Sequence, residues 1–276
     1  MLQGILHYKL GAVFHDGAFR IEDFLTAIAL GACEYVEHRL ALIPFLETAR
    51  SHTGQHLRLT HVDVSSAEMT FWKMREALHE GDQQIANAGE PELVVQLTTA
   101  SGERRWLLVE AKLHAEKSSI ALEGPTVTDQ LAKYWLHLRR IVADAGAPEE
   151  AALGVVYITK HPVLPTADLE ASERELKQKG HLSPRFYWTN WRELSRIAKA
   201  NAGESRLLRD LARVLEEHFE MPEIAMAWSW PEPRALNATW TFAWEWPAVP
   251  AAPPAWVFSW AWPVAPVEHY EAWRIT

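Results

Sequence analysis

The chain of 276 residues contains one cysteine, Cys33, which excludes a disulfide framework and a cysteine-based zinc site. It also lacks an excess of positive charge: 27 Lys and Arg stand against 36 Asp and Glu, a formal net charge of −9. Phosphate neutralisation supplies most non-specific affinity for nucleic acid, so a tight electrostatic grip is not expected. Weak, transient contact is compatible with that charge. The first residues show no charged-then-apolar leader pattern, and a cytoplasmic setting is the expectation. Residues 246–267 carry no formal charge, but six prolines in that stretch argue against a spanning helix, so no membrane partner is expected. What remains is the composition of a globular protein, 48% hydrophobic with a mean hydropathy of −0.17.

Two apolar runs near the middle carry the chemistry. Pro91-Glu92-Leu93-Val94-Val95 opens the first, and Leu107-Leu108-Val109-Glu110-Ala111-Lys112 closes the second, with Glu110 eighteen residues after Glu92. Side chains two apart on a strand share a face, so Glu110 and Lys112 point the same way. Ser101-Gly102 is the natural turn between the runs. A hairpin centred between these two residues sets Glu92 opposite Ala111, and a half-residue slip sets it beside either Glu110 or Lys112. Two carboxylates and an ammonium thereby meet. Mg²⁺ takes oxygen ligands, usually one or two carboxylates, and keeps positions for water and phosphate. Lys112 is suited to orienting an attacking water or stabilising developing negative charge. Glu-x-Lys is common by chance where 23% of residues are charged; its place at the end of an almost wholly apolar strand is the more informative fact.

These residues resemble the PD-(D/E)xK nuclease superfamily, with Glu92 standing where the family's Asp is usual. Lys117-Ser118-Ser119 follows the Glu-x-Lys strand, and Asp129-Gln130-Leu131-Ala132-Lys133-Tyr134-Trp135 is similar to the helix that carries a Gln in many of these enzymes. Val155-Val156-Tyr157-Ile158-Thr159 and Phe186-Tyr187-Trp188-Thr189-Asn190-Trp191 are similar to its later strands, and Glu22-Asp23-Phe24-Leu25-Thr26 to its opening helix. The resemblance spans residues 20–195. It implies an α/β (α+β) fold, a mixed central sheet flanked by helices with a restriction-endonuclease-like core. It also implies Mg²⁺ (or Mn²⁺) as cofactor, Glu92, Glu110 and Glu22 as metal ligands, and catalysis by Glu92, Glu110, Lys112 and Gln130. DNA is the expected partner, and RNA stays open.

Several residues have two readings. Glu22 is either a metal-site acid or an acid favoured at a helix start by the macrodipole. Gln130 positions water or phosphate, or belongs with Asp129 to a solvent face. His114 assists proton transfer or is an ordinary strand-end residue, and Glu68 fits a helix-cap acid better than a ligand. Lys133, His137, Arg139 and Arg140, and separately Arg192, Arg196 and Lys199, read more as solvated helix faces than as grooves. The coarse walk expects a helical stretch over 21–48 with Pro44 near a break or a new start, a strand over 56–64, a helix over 69–79 and a polar loop over 81–90. After the hairpin come a helix over 127–145, a strand over 153–159, a helix over 168–177, a strand over 185–189, and a long helix from 191 towards 218 that breaks at Gly203.

The C-terminal stretch is organised differently. Nine of the fourteen tryptophans fall between Trp228 and Trp273, in a repeat of period 16: Met226-Ala227-Trp228-Ser229-Trp230-Pro231, Phe242-Ala243-Trp244-Glu245-Trp246-Pro247 and Phe258-Ser259-Trp260-Ala261-Trp262-Pro263. Aromatics at a period of two mean strands, each closed by a proline. They form a small meander or dock separately, against the core, another copy or a foreign partner. The expected division is a nuclease-like domain over 1–220 and a Trp-rich module over 221–276 for homo-oligomeric assembly or protein docking. The competing reading is a catalytically inactive binding protein that keeps the nuclease fold.

Overall fold

The computed structural model describes residues 21–59, 63–71, 79–80, 83–84, 91–113, 117, 120, 126–181, 183–219, 221, 240–242 and 258–260. The chain divides into two compact units, Met1–Ile224 and Ala225–Thr276.

The first unit is built on a five-stranded mixed sheet of β1 (Val64–Phe71), β2 (Leu93–Thr99), β3 (Arg104–Ala111), β4 (Ala152–Thr159) and β5 (Phe186–Asn190), in that spatial order. β1, β2 and β3 pair antiparallel; β3–β4 and β4–β5 pair parallel. Parallel neighbours need crossovers, and α3 (Gln130–Asp144) and α4 (Thr166–Gln178) supply them. The helices α1 (Ile21–Glu34), α2 (Leu42–Glu47), α5 (Trp191–Ala200) and α6 (Arg206–His218) complete the unit.

Residue parity sorts the core into two layers. Leu107, Val109 and Ala111 of β3 join Val156 and Ile158 of β4 and the apolar sides of α1, α2, α5 and α6. Trp106 and Leu108 join Val155, Tyr157, Phe186 and Trp188 and the apolar sides of α3 and α4. A sheet covered on both faces requires strands apolar on both faces, which is why Trp106 to Val109 reads as a continuous run. β1 is an edge strand with one face exposed, and Glu68 lies on that exposed face rather than at a helix cap. The far edge, β5, is capped by Arg50, whose backbone exchanges hydrogen bonds of 2.9 and 2.8 Å with Trp188.

The hairpin turns through Ala100, Ser101 and Gly102: Thr99 and Glu103 close it, and Gly102 takes φ +83°, a left-handed conformation suited to glycine. Its centre falls on Ser101, so Leu93 pairs with Val109. Upstream, the structure departs from the sequence expectations. α1 ends at Glu34, well short of 48, while Pro44 sits in the first turn of α2, the new start that the sequence left open, where its missing N–H is not needed. Of the strand expected over 56–64, only Val64 is in a strand among the described residues; 56–59 and 63 are not, and His56 makes one isolated bridge to Arg50. Val64–Phe71 is strand instead, including Met69 and Phe71, where the sequence pattern predicts a helix. Ala67, Met69 and Phe71 alternate as well as they spiral, and pairing along β2 decides for the strand. In the expected loop over 81–90, Gln83–Gln84 pairs with His79–Glu80. The break near Gly203 is present: α5 ends at Ala200, and the Ser205 hydroxyl caps α6.

In the second unit, Trp240–Phe242 and Phe258–Trp260 pair antiparallel, with Trp240 opposite Trp260 and Phe242 opposite Phe258. Trp228, Trp230, Trp244, Trp246 and Trp262 lie outside the described residues. Among the described residues, no helix is long and apolar enough to cross a membrane.

Candidate active site

The end of β3 is where charge meets the core. Glu110 is 1% exposed and Lys112, two residues on, 8%. Their even-numbered face is the one that α3 covers. Lys112 Nζ lies 2.7 Å from Glu110 Oε1 and donates to Glu22 Oε1 at 2.9 Å. The other Glu22 oxygen accepts the Leu113 amide at 3.0 Å. Glu22 thus stands in the first turn of α1, as the helix reading expects, and also reaches the cluster. Gln130, at the start of α3, donates from Nε2 to Glu110 Oε1 at 2.6 Å and to the Tyr134 hydroxyl at 3.2 Å. Gln130 and Asp129 are both buried, so neither belongs to a solvent face.

Glu92 is buried at 6% exposure, one residue before the Leu93–Val109 pair. Continuing that register sets it opposite Glu110, one of the two arrangements the turn allows. Glu92 also shares the parity of Val94, which packs on the α3 side. Among the described residues, however, no group of three or more His, Cys, Asp and Glu side chains is arranged to hold a metal ion. His114 lies outside the described residues.

The electrostatics follow from burial. Desolvation pushes the Glu110 carboxyl above its ordinary pKa, against the pull of Lys112 and a hydrogen bond with Tyr134. Burial alone would lower the Lys112 pKa, but Glu110 and Glu22 outweigh it and hold the ammonium above its usual value. One carboxylate oxygen, Glu110 Oε2, is buried with no hydrogen-bond partner among the described residues. Such an acceptor costs free energy unless something fills it.

Sequence reasoning missed two features. Tyr134 follows Gln130 by four residues, so one helical turn stacks them on the same face; that spacing was the available signal. The second is a network behind the cluster. Asp129 is fully buried and caps α3 through Leu131 and Ala132, at 3.0 and 3.1 Å. It also accepts from Ser172 Oγ at 2.6 Å and from Lys117 Nζ at 2.5 Å. Glu175 of α4 takes the Thr128 and Asp129 amides, each at 2.9 Å. No local pattern announces these contacts, because Ser172 and Glu175 lie 43 and 46 residues beyond Asp129.

The basic clusters are largely neutralised: Arg139 pairs with Glu149, Arg140 with Asp144, Arg196 with Glu193 and Lys199 with Glu216. His137 is buried in the core instead of facing solvent. A cavity of about 390 Å³ opens beside the cluster, with Lys112 in its wall. Comparison of the chain with protein-family models, with curated proteins and with solved structures finds no match.

Proposed function

We propose that the protein is a Mg²⁺-dependent nuclease of the PD-(D/E)xK type, with a restriction-endonuclease-like core, that hydrolyses phosphodiester bonds in DNA. The observation that carries this reading is the convergence of Glu110, Lys112, Gln130 and Glu22 at the carboxyl end of a buried central strand. The donor set suits a hard cation: the ligands are carboxylate oxygens, and the buried Glu110 Oε2 has no donor among the described residues. Glu110 and Glu92 would hold the ion, with Glu22 completing the set. A bound divalent ion supplies a water of lowered pKa and neutralises charge on phosphoryl oxygens.

The chain's own residues do the rest. Gln130 and Tyr134 fix the orientation of the Glu110 carboxylate. Lys112 presents positive charge where negative charge develops in the transition state. Burial of the cluster thins the surrounding water, which strengthens each of these interactions. The Trp-rich unit is proposed as an assembly or docking module, since two of its three repeats contribute paired strands.

A second reading has its own support. Lys112 bridges Glu110 and Glu22, and no described group of three ligand-type side chains exists. A nuclease-like scaffold that binds without cutting accounts for both facts. Cleavage of supercoiled, linear and single-stranded DNA and of RNA, with Mg²⁺ and with EDTA, separates the two. Metal-dependent cutting is the expected result; intact substrates under every condition reject the nuclease.

A further inference from the structure

The Trp-rich unit repeats a symmetric motif. Trp240-Thr241-Phe242-Ala243-Trp244 and Trp256-Val257-Phe258-Ser259-Trp260 both read Trp-x-Phe-x-Trp, the same forwards and backwards. The strands within them pair antiparallel, with Phe242 opposite Phe258 and Trp240 opposite Trp260. The middle residues of the two motifs are therefore partners. An antiparallel pair centred on the middle of a palindromic motif does not distinguish one copy of the motif from another. Any strand that carries the motif offers the same complement in the same register.

Among the described residues this sheet has two strands, so each has one edge without a neighbour. Such an edge is a template for a further strand, and two strands alone make a marginal sheet in water. Proteins commonly protect an edge with a charge or a proline. Residues 256–262 carry neither, whereas Glu245 follows the motif at 240–244. A further repeat, Met226-Ala227-Trp228-Ser229-Trp230-Pro231, stands 16 residues before the unit that begins at Phe242, while residues 264–276 hold no Trp-x-Trp-Pro. The edge of Phe258–Trp260 is thus the one that neither charge nor a following repeat serves. A second copy of the chain carries its complement by construction. Residues 246–267 have no formal charge, so two copies meet there without the like-charge repulsion that opposes strand pairing.

We propose that the strand Phe258–Trp260 pairs antiparallel with the same strand of a second copy of this chain, about a two-fold axis at Phe258. The interface is isologous, with Phe258 opposite Phe258 of the partner subunit. It joins the two-stranded sheets of two chains into one sheet of four strands. The proposal rests on the assembly role given above to the Trp-rich unit and uses nothing of the nuclease reading.

The test combines light scattering with disulfide trapping, on the full chain. Wild type should show twice the chain mass of 31.4 kDa. A residue on the two-fold axis faces its own copy at a Cα separation of ~4.5–5.5 Å, which suits a disulfide. Phe258→Cys should therefore give a disulfide-linked dimer on mild oxidation. The double variant Val257→Cys/Ser259→Cys keeps Phe258 and should link as well, since 257 and 259 face each other across the axis. Trp260→Cys should not link, because its two copies would lie ~14 Å apart at ~3.4 Å per residue. Phe242→Cys, on the other strand, should not link either. Cys33 is buried, and burial pushes its thiol up to about 12, so it adds no background. A wild type of single mass at every concentration overturns the self-pairing. A dimer in which neither the Phe258→Cys variant nor the double variant links overturns the register. Equal linking through Trp260→Cys means a parallel pair, and linking through Phe242→Cys alone means the other edge; both overturn the proposal. Cleavage with Mg²⁺ on the same wild-type samples keeps the readings apart. A dimer that does not cut sinks the nuclease alone, and a monomer that cuts sinks the dimer alone.

Discussion

Replacing Lys117 by Met tests whether the buried network behind the cluster holds α3 in place. The Lys117 side chain is 2% exposed, and its partner Asp129 is fully buried. Asp129 accepts four hydrogen bonds, from Leu131, Ala132, Ser172 and Lys117. Methionine keeps the volume and removes the charge, which strands a carboxylate away from water. Breaking a buried pair in this way costs ~3–5 kcal/mol, and the three donors that remain to Asp129 put the expected loss at the lower end. In a unit of this size each kcal/mol shifts Tm by ~2–4 °C, so Lys117→Met should melt roughly 6–12 °C lower. The double change Lys117→Met/Asp129→Asn removes both charges while Asn still caps the helix, so it should recover much of that loss. The assay is thermal melting by circular dichroism at neutral pH, repeated by urea denaturation. A single variant within 1 °C of wild type, or a double variant no better than the single, would refute the reasoning. Because Asp129 immediately precedes Gln130, the single variant should also disturb the Gln130–Glu110 contact and lower any cleavage.

The remaining predictions concern the site, the metal, pH and packing. Glu92→Ala, Glu110→Ala and Lys112→Ala should each bring cleavage near background, since residues acting as one unit fail together; activity that survives all three rejects the assignment. Mg²⁺ or Mn²⁺ should support turnover while Ca²⁺ binds without supporting much of it, and equal rates in Ca²⁺ and Mg²⁺ would count against a metal-activated water. For Glu175, burial raises the pKa, but Lys179 and the Thr128 and Asp129 amides outweigh it and hold the folded value below the ordinary one. Its contribution is therefore full above the unfolded value of ~4.3 and is lost as pH falls through the folded value. Glu175→Gln should flatten the acid side of the Tm–pH curve, and an unchanged acid limb would dispose of that linkage. At Gly154, φ is +153° and an added Cβ would stand 2.7 Å from Tyr187 Cε2 and 3.0 Å from the Arg185 carbonyl oxygen. Gly154→Ala should destabilise by ~1–3 kcal/mol in chemical denaturation, and a neutral result would mean that Tyr187 moves aside freely.

Much of the sheet was legible because its signals are local. The unbroken apolar run of β3 states that both faces are covered, and a two-residue period puts Glu110 and Lys112 on one of them. The turn at Ser101-Gly102 narrowed the partner of Glu92 to two choices, but the half-residue that decides between them depends on how Gly102 closes the loop. β1 is not legible in the sequence because Met69 and Phe71 satisfy a strand and a helix alike, and pairing along β2 settles the matter. In the Trp-rich repeat, alternation alone announced strands, while the pairing of Trp240 with Trp260 depends on how the backbones meet.

The sequence by itself determined the residue types of the candidate site, the shared face of Glu110 and Lys112 and the presence of the helix expected over 127–145, whose start the structure places at Gln130. It did so because strand and helix periodicities are properties of neighbouring residues. Only the tertiary structure decided that Glu22, 90 residues before Lys112, closes on it, and that Ser172 meets Asp129 across 43 residues. The same holds for the cavity between the ends of β3 and β4. Such contacts belong to no window of sequence. They arise where the packing of both helical layers onto the sheet brings distant side chains into a volume without water, and there each charge must find its partner.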